Sequence, residues 1–155
     1  MVQGRRNIPT RIVIADDHAL TVDGTRSVVE SLNGYDVVGI AGNGIDAISM
    51  IKRLSPDCAV IDLVMPGASG LEVLIEARRW SPGTKIAIVT GSPSAKTLQQ
   101  LVEAGADGIF LKTGALTEFS DGLREICAGR KHISAAARDY LDQETAESNL
   151  TQREM

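Results

Sequence analysis

Arg11-Ile12-Val13-Ile14-Ala15-Asp16-Asp17 is a short aliphatic run that stops on two carboxylates, and the same grammar recurs down the chain. Cys58-Ala59-Val60-Ile61 stops on Asp62, Ile86-Ala87-Ile88-Val89 on Thr90, and Gly108-Ile109-Phe110-Leu111 on Lys112. Together with Tyr35–Ala41 these runs predict five strands, at Arg11–Ala15, Tyr35–Ala41, Cys58–Ile61, Lys85–Val89 and Gly108–Leu111. Between them the apolar residues recur at helical spacing. Leu20, Val28, Val29 and Leu32 share a stripe over Ala19 to Leu32, and Ala47, Ile48, Ile51 and Leu54 do so over Gly44 to Leu54. Leu71, Leu74 and Ile75 mark a helix over Gly70 to Arg79. Leu98, Leu101 and Val102 mark one over Ser94 to Ala104, and Leu116, Phe119, Leu123 and Ile126 one over Ala115 to Ala128. Strand followed by helix, five times over, predicts an α/β fold, a doubly wound parallel sheet with helices on both faces. Right-handed crossovers then bring every strand's C-terminal end to one edge, where such sheets bind ligands.

Composition agrees with a buried parallel sheet. Of 155 residues, 43% are apolar and only 3% aromatic, so the core must be aliphatic. The formal charge of -4 argues weakly against nonspecific nucleic-acid binding by this segment. Cys58 and Cys127 lack metal-site spacing and read as two reduced thiols in or near the core. No run approaches the ~18 apolar residues of a membrane span, and no signal-peptide pattern follows the polar start, so a cytoplasmic location is expected.

The polar strand ends suggest a chemistry. Asp16, Asp17 and Asp62 can supply oxygen ligands to a hard divalent cation, Mg²⁺ or Mn²⁺ in its place, with the backbone carbonyl of Val64 as a further ligand. Asp62, followed by the loop Leu63–Gly70, is the candidate nucleophile that would form an acyl phosphate. Lys112 would face the phosphoryl oxygens as a point charge, and Thr90 would donate a hydroxyl hydrogen bond. Blander readings stand beside these: Asp16 and Asp17 as caps of the first helix, Asp62 as a turn residue, Lys112 as a solvated lysine. His18 reads as a neighbour of the site rather than a ligand, and His132 carries no signal.

The motifs Asp16-Asp17-His18, Asp62-Leu63-Val64-Met65-Pro66-Gly67 with Gly70-Leu71-Glu72, Thr90-Gly91 and Ala106–Lys112 resemble the receiver domain of bacterial two-component response regulators. Asp16-Asp17-His18 and the C-terminal Leu150-Thr151-Gln152-Arg153-Glu154-Met155 are similar to the NarL/FixJ branch, in which that hexapeptide begins a LuxR-type helix-turn-helix domain. The resemblance implies a flavodoxin-like receiver fold, five parallel strands in the order 2-1-3-4-5. It implies phosphorylation of Asp62 by a sensor histidine kinase, self-catalysed transfer and hydrolysis, and control of a C-terminal transcription-regulating domain. DNA would be reached only through that domain, no membrane is involved, and a homodimer would form through a helical face.

The implied organisation is a flexible N-terminus (1–10), a receiver domain (11–130), a short helix near Ala135–Leu141 with a linker (131–149), and the start of the missing DNA-binding domain (150–155). The switch region would comprise Thr90, Ile109 and Phe110. Ile109 falls where the family carries a rotating aromatic, and Phe110, one residue on, should point to the opposite face. Thr113 stands where many receivers have proline, which weakens the expectation of a cis bond after Lys112. Three other readings remain open: a docking or dimerisation module that works without phosphorylation, a magnesium-dependent phosphohydrolase, and a flavodoxin-like cofactor domain. Asp16 and Asp17 would repel the phosphate of the last.

Overall fold

The computed structural model describes residues 8–143. Most of the expected N-terminal segment, the acidic stretch beyond Gln143 and the hexapeptide Leu150–Met155 lie outside the described residues.

Strands β1 (Thr10–Ala15), β2 (Tyr35–Ala41), β3 (Cys58–Asp62), β4 (Lys85–Thr90) and β5 (Gly108–Leu111) alternate with helices α1 (Ala19–Ser31), α2 (Gly44–Leu54), α3 (Gly70–Trp80), α4 (Ala95–Glu103) and α5 (Leu116–Cys127). All strands pair in parallel, and the order 2-1-3-4-5 is as expected. The strand count differs from five. A two-residue strand β6 (His132–Ile133) adds to the outer side of β5, pairing Gly108 with His132 and Ile109 with Ile133. The helix expected near Ala135–Leu141 spans 135–143. No cis peptide bond occurs among the described residues.

Alternation along each strand divides the core into two layers. Val13, Ala15, Ala59, Ile61, Ile86, Ile88 and Ile109 pack with Ile51, Leu74, Leu98 and Leu101 of α2, α3 and α4. Ile12, Ile14, Cys58, Val60, Ala87 and Phe110 pack with Val29, Leu123 and Ile126 of α1 and α5. Ile109 and Phe110 therefore face opposite layers, as the period of two requires. Both cysteines are free, and Cys58 is fully buried. No helix among the described residues is long and apolar enough to cross a membrane.

Four stripe assignments do not hold. Leu20 is 87% exposed, Leu116 67%, Ile75 55% and Val102 40%, although their spacing places them with buried neighbours. Leu20 lies in the first turn of α1, and with Leu116 of α5 it lines an open cavity of about 290 Å³ between the two helices instead of reaching the sheet.

Phe110 is the largest buried side chain in the α1/α5 layer, and a glycine makes room for it. A Cβ at Gly122, in the middle of α5, would lie 2.7 Å from Phe110 Cζ and 2.7 Å from His132 Cδ2. Phe110 meets Phe119 edge-on, with centroids 5.0 Å apart, and stacks on His132 at 5.4 Å. Gly122→Ala is expected to destabilise the fold by about 1–3 kcal/mol, the usual range for overpacking. It should do so even though alanine is the better helix former. Chemical denaturation measures this, and an unchanged or raised midpoint would contradict the packing account.

Candidate functional site

The chain reverses its direction of travel at β1, which has β2 on one side and β3 on the other. Loops leaving β1 and β3 diverge there and open a crevice at the C-terminal edge. Asp16 and Asp17 follow β1, and Asp62 ends β3. Asp16 and Asp62 are only 6% and 5% exposed, so two carboxylates are largely withdrawn from water at one place.

Local structure explains how Asp62 stays presented. The loop after it folds back so that the Gly70 N–H donates to the Leu63 carbonyl at 2.7 Å. A Cβ at residue 70 would lie 2.8 Å from the Asp62 carbonyl oxygen and 2.9 Å from Leu63 Cα, so only glycine permits this approach. Ser69 then caps α3 in a reciprocal capping box with Glu72, which fixes where the loop ends.

Lys112 reaches in from the end of β5. Its Nζ lies 3.3 Å from Asp16 Oδ2 and 3.3 Å from Asp62 Oδ2. Its backbone N–H donates to the Thr90 carbonyl at 2.9 Å, which ties the lysine to the end of β4. Thr90 is 1% exposed, and its hydroxyl oxygen accepts the Ser92 N–H at 3.2 Å. Lys112 is thus an ion-pair partner in the site rather than a solvated lysine.

Asp16 and Asp17 do not cap α1. The N-cap is His18, with no side-chain cap hydrogen bond. Asp16 Oδ1 instead accepts the His18 backbone N–H at 2.8 Å. The sequence alone places His18 beside the site and no closer. Its Nδ1 lies 3.2 Å from Asp16 Oδ1 and 3.1 Å from Asp17 Oδ1. The available signal was its position directly after the acidic pair.

Charge is unbalanced here. The Asp62 carboxyl is pushed above its usual value, first by burial and then by the neighbouring Asp16 charge. Lys112 and the Val64 N–H pull the other way and do not fully compensate. Asp16, Asp17, His18 and Asp62 each offer a ligand atom, and these atoms lie within 4.8 Å of one another. A donor set of carboxylates carrying surplus negative charge suits a hard divalent cation. The Val64 side chain is 67% exposed, and its N–H is turned to Asp62.

Comparison with known proteins gives the arrangement a context. Residues 12–124 match the family described as the response regulator receiver domain. NarP, the nitrate/nitrite response regulator of Escherichia coli K12, is 35% identical over 154 residues, spanning 95% of this chain and 72% of NarP. A LuxR-family two-component response regulator from Aurantimonas superposes with a TM-score of 0.84 at 30% identity, covering 89% of this chain and 99% of that one. The isolated receiver domain of RcsB from Salmonella enterica serovar Typhimurium, solved in the presence of the phosphomimetic BeF3⁻, gives 0.80 at 26% identity, covering 86% and 99%.

Proposed function

Because the chain belongs to the response regulator receiver domain family, we propose that it is a signalling switch whose Asp62 accepts a phosphoryl group from a sensor histidine kinase. The observation that carries this reading is the buried Asp62 carboxylate, 3.3 Å from the Lys112 ammonium, on the edge where Asp16 is also buried.

In the transfer, an Asp62 carboxylate oxygen attacks phosphorus, the phosphorus–nitrogen bond of the kinase phosphohistidine breaks, and the imidazole leaves. Lys112 draws the charged phosphoryl oxygens toward Asp62 and offsets their charge as the bond forms. When bound, Mg²⁺ or Mn²⁺ held by Asp16, Asp17, Asp62 and the Val64 carbonyl would screen the carboxylates from the incoming phosphoryl oxygens. Thr90 would exchange its bond from Ser92 for donation to a phosphoryl oxygen, drawing its loop inward.

The route outward differs from a swinging aromatic. Ile109 is fully buried against the α4 layer and has no ring to report the position of Thr90. Phe110, on the other face, touches Phe119 of α5 and His132 of β6. Displacement of β5 would therefore be felt in α5, in β6 and in the helix at 135–143. A bias of about 1–3 kcal/mol between two arrangements suffices to change a partner's affinity 5–150-fold. Exposed Leu20 and Leu116 beside the α1/α5 cavity support this as the helical face for a homodimer. Control of transcription would pass to a DNA-binding domain following the linker.

Incubation of the chain with acetyl phosphate and Mg²⁺ tests the reaction. One hydroxylamine-labile phosphoryl group per chain is expected, because acyl phosphates are cleaved by that nucleophile. Many turnovers of an external phosphomonoester without an adduct would indicate a phosphohydrolase, and no reaction would indicate a docking module.

Val64, exposed beside Asp62, places no polar group near a water that could attack the phosphoryl group. Val64→Asn is expected to speed loss of the phosphoryl group by about tenfold. That is less than the ~10²–10⁴ of a positioned general base, since an amide orients water without taking its proton. Decay of the two phosphoproteins compares them, and equal rates would refute the role.

A further inference from the structure

We propose that His18 supplies a nitrogen ligand at the cation site and biases it toward borderline transition-metal ions, such as Ni²⁺ or Zn²⁺, relative to Mg²⁺. This rests on reading the acidic edge as a divalent-cation site. The added observation is the position of one atom. His18 Nδ1 is 3.2 Å from Asp16 Oδ1, 3.1 Å from Asp17 Oδ1 and 3.9 Å from Asp62 Oδ2. In an octahedron with bonds of about 2.1 Å, adjacent ligand atoms are about 3.0 Å apart and opposite ones about 4.2 Å. The first two distances match adjacent positions, and the third approaches an opposite one.

The backbone holds the imidazole near this place. His18 is the N-cap of α1, in extended conformation, and its N–H is fixed by Asp16 Oδ1 at 2.8 Å. Its ring does no capping, and its side chain is 63% exposed, free to take the small rotation that coordination needs. Asp16 divides its oxygens. Oδ2 pairs with Lys112 at 3.3 Å, while Oδ1 faces His18. The ammonium and the imidazole thus approach Asp16 through different oxygens.

Carboxylate and water ligands alone suit Mg²⁺, which has no preference for imidazole. Replacing one oxygen by an imidazole nitrogen favours ions later in the divalent series, which bind nitrogen more strongly.

Pulsed electron paramagnetic resonance of the untagged chain loaded with Mn²⁺ reads the ligand directly. The native chain is expected to show coupling to a coordinated ¹⁴N nucleus. His18→Ala should bind Mn²⁺ without it, whereas His132→Ala, which removes the other histidine, should keep it. Calorimetric titration should show the ratio of Ni²⁺ to Mg²⁺ affinity falling by at least about tenfold in His18→Ala, the lower end of what even indirect partners of a metal contribute. Mn²⁺ bound without nitrogen coupling, or an unchanged affinity ratio, would overturn the proposal and leave an all-oxygen site with His18 as a counter-charge. Failure of the native chain to bind any of these ions would remove the cation site itself, and with it the reading above.

Discussion

Asp62→Asn is expected to lose phosphoryl acceptance completely and, at neutral pH, to be more stable than the native chain. The first effect follows from chemistry, since an amide oxygen is too weak a nucleophile to attack phosphorus. The second follows from the cost of the charge. Burial, followed by the Asp16 charge, pushes the Asp62 carboxyl above its ordinary value of 3.8, so the folded chain holds that proton more tightly than the unfolded chain does. Folded stability therefore falls as pH rises from about the unfolded value through the raised folded value, and above that the full cost is present. Asparagine has nearly the same shape and carries no charge. Its advantage should be about 1 kcal/mol at pH 7, the scale of a typical single stabilising substitution. That corresponds to a rise of a few °C in Tm. The difference between the two proteins should shrink toward zero as the pH approaches 3.8. A less stable variant at pH 7, or a gap that ignores pH, would contradict the charge account; labelling of the variant by acetyl phosphate would contradict the nucleophile.

Lys112→Ala should act in the opposite sense on the free site and strongly on the reaction. Nζ is the cation paired with both Asp16 and Asp62, and it lowers the Asp62 carboxyl. Without it, the surplus negative charge that repels a phosphoryl donor grows. Loss of one preorganised charge contact of this kind costs about 10²–10³ in rate. The fold should survive, because Lys112 sits at the sheet edge with 22% of its side chain exposed. Lys112→Arg should restore little, since a broad planar guanidinium does not fit between two oxygens placed for a compact ammonium. Pseudo-first-order labelling by acetyl phosphate measures all three proteins. A rate for the alanine variant within threefold of native would remove Lys112 from the chemistry.

Much of this was legible in the residues because parallel topology converts sequence order into spatial convergence. Once β1, β3, β4 and β5 are read as parallel strands, right-handed crossovers oblige Asp16, Asp62, Thr90 and Lys112 to share an edge. The opposite facing of Ile109 and Phe110 followed from the pleat alone. What escaped had no periodicity to read. Two residues, His132 and Ile133, cannot display the alternation of a strand, so β6 was invisible. Leu20 has correct helical spacing, yet spacing does not reveal that the first turn of α1 leaves the sheet behind. Whether His18 stands beside the carboxylates or among them depends on one side-chain rotation, which Asp16 Oδ1 and Asp17 Oδ1 bias and sequence spacing does not. The Phe110–His132 stack likewise required knowing that Gly122 opens α5 at the right height.

The most direct test locates the phosphoryl group. Reduction of an acyl phosphate by borohydride converts its aspartate to homoserine, a permanent mark that peptide mass spectrometry can place. After reaction with acetyl phosphate and Mg²⁺, homoserine is predicted in place of Asp62, with Asp16 and Asp17 unchanged. Homoserine at another aspartate, or none anywhere in the chain, would contradict the assignment of Asp62 as the acceptor.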